Sequence, residues 1–158
     1  MTITVKVSDA RCSADPADVL VTYALGSCIG VCLYDPAARV AGLLHYQLPA
    51  SAGDPAKAIE RPCMFADTGM AQLLAEMIAL GAGKSRMKVR LAGGANMLND
   101  ASSMNIGKRN HTAIRKFLWQ HGMFVESEDV GGATPRTVYL AVADGAYTIK
   151  SGGITVAT

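Results

Sequence analysis

Residues 19–47 leave this chain the least freedom in how it can fold. Val19 to Ala24 is rich in β-formers and reads as a strand, and Leu25-Gly26-Ser27 is a short turn. Cys28 to Tyr34 reads as the next strand, followed by Asp35-Pro36-Ala37-Ala38, where a proline after an aspartate is turn chemistry. Arg39 to Gln47 then returns as a further strand. The Asp35–Ala38 turn reads as a hairpin loop, which pairs the strands on either side of it antiparallel. With Tyr34 facing Arg39 across a four-residue loop, Cys28 falls directly opposite His45. Directly opposed residues share a face and hold their Cβ atoms about 4.5–5.5 Å apart.

The rest of the chain adds strands and two helices. Ile3, Val5 and Val7 alternate with Thr2, Thr4 and Lys6, the pattern of a half-buried strand. Residues 48–64 contain Pro49, Gly53, Pro55 and Pro62 and read as loop. A helix capped by Asp67 or Thr68 carries Met70, Leu73, Leu74, Met77 and Ile78 at helical spacing and ends at Gly81. Met87 to Ala92 reads as a strand leading into Gly93-Gly94. Asn105 caps a second helix, with an apolar stripe of Ala113, Ile114, Phe117 and Leu118 and a stop at Gly122. Strands follow at Met123 to Val130, Arg136 to Ala143 and Tyr147 to Lys150, with turns at Gly131-Gly132 and Asp144-Gly145. Many strands with two main helices are too few helices for a parallel βαβ sheet. The expected class is α+β, with packed mixed or antiparallel sheets flanked by the helices.

Composition narrows the function. The 158 residues suit one domain, residues 1–158, and half of them are hydrophobic, which fits a packed core. Fifteen basic residues against 13 acidic ones give a net charge of only +2, so no nucleic-acid footprint is expected. The alternating Lys84, Arg86, Lys88 and Arg90 read as the wet face of a strand. No apolar run is long enough for a membrane span, and the N-terminus lacks the apolar core of a signal peptide, so a cytoplasmic protein is expected. Cys12, Cys28, Cys32 and Cys63 should then be free thiols.

A thiol opposite an imidazole has a specific use. Stabilised by a nearby imidazolium, Cys28 becomes a nucleophile, and His45 can later protonate a leaving amine. That pairing predicts a resting site that is partly thiolate and imidazolium. Gly26 and Ser27 give a small-residue turn whose backbone amides can face an oxyanion, and Thr22, on the preceding strand, is the nearest group to orient the base. By themselves the residues also allow a bland reading, with Cys28 a small core residue and His45 a structural one. Cys28, Cys32 and His45 could supply three metal ligands, but no fourth ligand or paired short spacing is present, so no metal is expected.

The stretch T-Y-A-L-G-S-C at 22–28 resembles the active-site motif of the CheD family, the chemoreceptor glutamine deamidases of bacterial and archaeal chemotaxis. His45 in G-L-L-H-Y-Q-L-P matches that family's histidine. The resemblance continues through F-A-D-T-G-M at 65–70, L-A-G-G-A-N-M at 91–97, M-N-I-G-K-R-N at 104–110 and D-V-G-G at 129–132. It departs at Ala24, where glycine is expected, and at Tyr46, a larger residue expected to reshape the pocket rim. The resemblance implies a Cys28, His45 and Thr22 triad and a fold like that of the cytotoxic necrotising factor cysteine hydrolases. It implies a hydrolase that needs no cofactor and converts glutamine side chains of methyl-accepting chemotaxis receptors to glutamate and ammonia through a thioester. A CheC-type phosphatase is a further implied partner. The alternatives are a cysteine peptidase or transglutaminase-like acyl transferase on the same triad, and a regulatory module that only binds a phosphatase or receptor.

Overall fold

The computed structural model describes residues 1–97 and 105–158, which form two five-stranded sheets and three α-helices. One sheet runs β1 (Thr2–Thr4), β3 (Val19–Leu25), β8 (Arg136–Ala141), β9 (Tyr147–Ser151) and β10 (Ile154–Ala157). The other runs β2 (Asp9–Ser13), β5 (Val40–Tyr46), β4 (Ile29–Asp35), β6 (Lys88–Gly93) and β7 (Val125–Val130). The pairs β1–β3 and β6–β7 are parallel and the others antiparallel, so both sheets are mixed. The class is α+β, as the strand and helix count predicts.

Every residue of β4 and β5 is buried, because that sheet is covered on both faces. Leu44 and Tyr46 pack with Met70, Leu73 and Met77 of α2 (Ala66–Ala79) and Ile114 and Leu118 of α3 (Ile106–Gln120). Ala41 and Leu43 point the other way, to Leu20, Leu25, Val138 and Leu140 of the first sheet. The alternation of side chains along β5 thus assigns residues 41, 43 and 45 to the space between the sheets. His45 therefore faces the first sheet.

The β4–β5 hairpin corrects the expected register. Its loop is Pro36 to Arg39, not Asp35 to Ala38, and the strands pair Asp35 with Val40, Ile29 with Tyr46 and Gly30 with His45. Asp35 remains in the strand because its carboxylate accepts from the amides of Ala37 and Ala38, at 2.9 and 3.2 Å, and closes the turn from below. Arg39 completes it at φ +54°. The loop keeps four residues but begins one later, so every pair moves by two, and the face of each side chain is conserved.

Other expectations change locally. Residues 48–64 are not all loop: α1 (Pro55–Glu60) forms there, with Pro55 at its first turn and Asp54 accepting from the Lys57 amide at 3.1 Å. Neither Asp67 nor Thr68 caps α2, which starts at Ala66 with Phe65 at its cap. Asp67 instead accepts from Ser51, and the Thr68 hydroxyl donates to the Pro62 carbonyl. Lys84 to Arg90 is not simply a wet strand face. Lys84–Arg86 is a 3-10 turn, Arg90 pairs with Glu126 at 3.2 Å, and Arg86 grips the fully buried Asp35 at 2.8 Å.

That last contact makes a prediction. Burial alone pushes the Asp35 carboxyl up, but hydrogen bonds from Arg86, Gly83, Ala38 and Ala37 outweigh it and hold its pKa from 3.8 down to about 2. The folded value lies below the unfolded one, so this stabilisation is present above pH 3.8 and is lost as pH falls towards 2. Asp35→Ala is expected to lower unfolding free energy at pH 7 by about 2 kcal/mol, the loss of charge-assisted hydrogen bonds. Urea titrations at pH 7 and pH 3 check this, and the difference from wild type should shrink at the lower pH.

Candidate active site

His45 is buried, and its Nδ1 lies 2.7 Å from the Thr22 hydroxyl on β3. That hydroxyl also lies 2.8 Å from the Val5 carbonyl oxygen, which can only accept. A hydroxyl has one proton. With that proton given to Val5, Thr22 accepts from His45, so the imidazole proton sits on Nδ1. Nε2 is left as the basic nitrogen. Burial pushes the imidazole pKa down from 6.5 to about 4, so His45 is neutral at physiological pH.

A β-bulge places Thr22. Between the pairs Thr22–Val138 and Leu25–Arg136, β3 carries one more residue than β8. Ala24 absorbs it at φ +54°, a left-handed conformation that costs a side-chain-bearing residue about 1–2 kcal/mol. This gives the departure at Ala24 a physical meaning: glycine would sit there without strain.

Cys28 lies just before β4, half-buried and unpaired to any other cysteine. In the observed register it is one diagonal step from His45, because Gly30 is the residue directly opposite. Diagonal neighbours on one face stand about 7–8 Å apart at Cα, within reach of an imidazole. Gly30 is closely packed, since a Cβ there would meet Leu25 Cδ1 at 2.9 Å and Thr22 Cγ2 at 3.6 Å. Among the described residues the thiol makes no hydrogen bond to His45. Burial pushes the Cys28 thiol above its ordinary 9.0, with its own backbone amide pulling the other way. Thiol up and imidazole down make the resting pair neutral, which corrects the expected thiolate–imidazolium pair. The physical reason is desolvation, which disfavours both charged forms.

The turn before Cys28 is held by its carbonyls. Gly26 accepts from the Ala95 amide at 2.8 Å, Ser27 from Asn110 Nδ2 at 3.0 Å and Cys28 from the Gly94 amide at 2.8 Å. Among the described residues, no acceptor outside the turn engages the amides of Gly26, Ser27 or Cys28. Gly93, at φ +111°, has room only for hydrogen, because a Cβ would overlap the Cys28 carbonyl oxygen. Gly107 lets α3 approach, since a Cβ there would meet the carbonyl oxygens of Gly94 and Ala95 at 2.5 Å. Buried Arg136 donates to the carbonyls of Gly93, at 3.2 Å, and Gly131, at 2.7 Å, and ties the two glycine turns together. The segments at 91–97, 105–110 and 129–132 thus meet beside this turn, though Met104 lies outside the described residues.

Two residues behave differently from expectation. Tyr46 does not shape a rim: it is fully buried on the helix side, where its hydroxyl donates to the Asn110 carbonyl at 2.6 Å. Asn110, which has no role on sequence grounds, is fully buried beside the turn. Its N-cap neighbour Asn105 does cap α3, accepting from the Lys108 amide at 3.1 Å. Cys32 is core between the sheets, and Cys63 is core beneath α2. His111 pairs with Glu128 at 3.1 Å, and His121 stacks on Phe117 at the end of α3.

Thr22→Val keeps the shape of the side chain and removes the oxygen that Nδ1–H meets. We expect turnover to fall about 10-fold as the imidazole loses its orientation, the scale seen when a ligand histidine loses its outer partner. Steady-state kinetics check this, and an unchanged turnover number would dissociate Thr22 from the site.

The family model described as CheD chemotactic sensory transduction matches residues 47–151. That span begins just after His45. Whole-chain relatives cover the earlier residues. A Solibacter usitatus protein named probable chemoreceptor glutamine deamidase CheD is 46% identical over 151 residues, 96% of this chain and 89% of its own. A Syntrophus aciditrophicus protein named probable chemoreceptor glutamine deamidase CheD 1 is also 46% identical, over 96% of this chain and 94% of its own. The similarly named protein of Thermococcus kodakarensis is 40% identical over 84% of this chain and 82% of its own.

Proposed function

Because the chain belongs to the CheD family, we propose that it is a chemoreceptor glutamine deamidase with Cys28 as nucleophile, His45 as base and Thr22 as the group that orients the base. It hydrolyses glutamine side chains of chemoreceptors to glutamate and ammonia. The observation that carries the site assignment is the 2.7 Å contact from Thr22 to His45 Nδ1, which frees Nε2 on the face that Cys28 shares.

The reaction starts from a neutral pair. As Cys28 Sγ bonds to the carboxamide carbon, its proton passes to His45 Nε2. The carbonyl oxygen becomes an oxyanion, met by amides of the Gly26 to Cys28 turn. His45 returns the proton to the amide nitrogen, the C–N bond breaks and ammonia leaves a thioester on Cys28. Water then gives a proton to His45 and attacks the thioester carbon. The C–S bond breaks, and the thiolate recovers the proton from His45.

Two sheets backed by helices on one face are consistent with a necrotising-factor-like cysteine hydrolase fold over a single domain, residues 1–158. Chemoreceptors are the protein substrate, and the family supports a CheC-type phosphatase as a further partner. No helix among the described residues is long and apolar enough to cross a membrane.

Incubation with a chemoreceptor cytoplasmic fragment tests this reading. Ammonia release with an intact polypeptide and no incorporation of an added primary alkylamine is expected. New chain termini would indicate a peptidase, and alkylamine incorporation in place of hydrolysis would indicate an acyl transferase.

A further inference from the structure

Ladder pairing between β4 and β5 stops at Ile29 and Tyr46. The next residues, Cys28 and Gln47, part from one another: the Cys28 carbonyl turns to Gly94, and the Gln47 amide donates to the Met64 carbonyl at 3.0 Å. The Asn110 side-chain amide occupies the fork. One Nδ2 proton goes to the Ser27 carbonyl at 3.0 Å, and the other goes to the Gln47 carbonyl at 2.8 Å. A single NH2 group therefore joins the residue before Cys28 to the strand end two residues after His45. The backbone of Asn110 is tied to the same strand, because its carbonyl accepts from Tyr46.

Asn110 is fully buried, and among the described residues its Oδ1 has no hydrogen-bond partner. A buried polar atom left unpaired costs about 1–3 kcal/mol. A leucine or methionine on the inner side of α3 would carry no such penalty. The fold keeps an amide here, and the two donors are what that amide supplies.

The geometry points to Asn110 as a positioning residue that sets the spacing of the Cys28 turn and the His45 strand. This rests on the reading of Cys28 as nucleophile and His45 as base. Asn110 touches neither side chain and acts through the backbone on each side of the opening between β4 and β5. A displacement of about 1 Å in a reacting group is enough to cost 100-fold in rate.

The test replaces Asn110 with Asp, which keeps the shape and removes both donors, and with Ser, which keeps one. Ammonia release from a chemoreceptor cytoplasmic fragment is measured on the folded fraction, quantified by circular dichroism. Asn110→Asp is expected to lower kcat about 100-fold with KM within about 2-fold. Asn110→Ser is expected to fall between it and wild type. In a His45→Ala background, Asn110→Ser should lower the residual rate no further, because it acts through the pair. Loss of melting temperature with kcat per folded molecule unchanged in both variants would overturn the proposal. So would a full effect of Asn110→Ser in the His45→Ala background. Cys28→Ala, run in parallel, separates the two claims: its retained activity would refute the nucleophile, whereas its inactivity beside a fully active Asn110→Ser and Asn110→Asp would refute the positioning role alone.

Discussion

Cys28→Ala is expected to abolish ammonia release, a loss of 10⁴-fold or more of the kind seen when a covalent nucleophile is removed, and to leave thermal unfolding nearly unchanged. Both halves come from the same position in the fold. Cys28 sits outside the β4 ladder, half-buried, and its backbone is fixed by its carbonyl bond to Gly94 and not by its side chain. Alanine removes only the sulfur from a half-buried site. A folded Cys28→Ala protein that still releases ammonia would end the nucleophile assignment. Serine in place of Cys32 is a useful contrast. Cys32 is buried between the sheets, so that change is expected to lower stability while leaving turnover per folded molecule intact.

His45→Ala should lower kcat by about 10³-fold, the range for removing a positioned general base. The pH dependence is the more diagnostic result. With the imidazole pKa near 4, kcat/KM in wild type should be flat from pH 8 down past 6.5 and fall only as pH approaches 4. An ordinary histidine would give an inflection near 6.5. The stability sign is the same. The folded pKa lies below the unfolded one, so the neutral imidazole's contribution is complete above pH 6.5 and is lost as pH falls towards 4. Iodoacetamide should alkylate Cys28 slowly at neutral pH and faster only above its ordinary 9.0. His45→Ala should move that alkylation profile little, because no imidazolium holds the resting thiolate. A large upward shift in the variant would show that the pair is charged at rest.

Much of the fold is legible in the chain because local patterns decide it. The stripes at Met70 to Met77 and Ile114 to Leu118 give α2 and α3, and the apolar runs at 19–47 give β3, β4 and β5. Elements without a pattern escape. In β2, Asp9–Ser13, the polar residues Asp9, Arg11 and Ser13 mask the strand, and β10 is an exposed edge whose pairing with β9 is tertiary. The helix at Pro55–Glu60 hides behind a proline that reads as a breaker but sits where helices accept it.

The proposed site is legible in its membership more than in its geometry. Thr22, Cys28 and His45 are named by a motif, and face parity alone puts Cys28 and His45 on the same side. Their register depends on whether Asp35 ends a strand or begins a turn. Its Arg86 and Gly83 partners decide that, and they lie about fifty residues away in sequence. Asn110 could not be assigned from sequence for the same reason: both acceptors of its amide, Ser27 and Gln47, are more than sixty residues away. The charge state of the pair follows from burial, which no spacing encodes.

The central claim is that the glutamine side chain is transferred to Cys28 before water takes it. Hydroxylamine added during turnover tests this, because it intercepts a thioester and leaves a hydroxamate on the substrate. Peptide mapping of a chemoreceptor cytoplasmic fragment should find hydroxamate at the same glutamines that otherwise become glutamate, formed at the expense of glutamate and absent with Cys28→Ala. Glutamate formation that hydroxylamine leaves untouched, or that continues in Cys28→Ala, would contradict it.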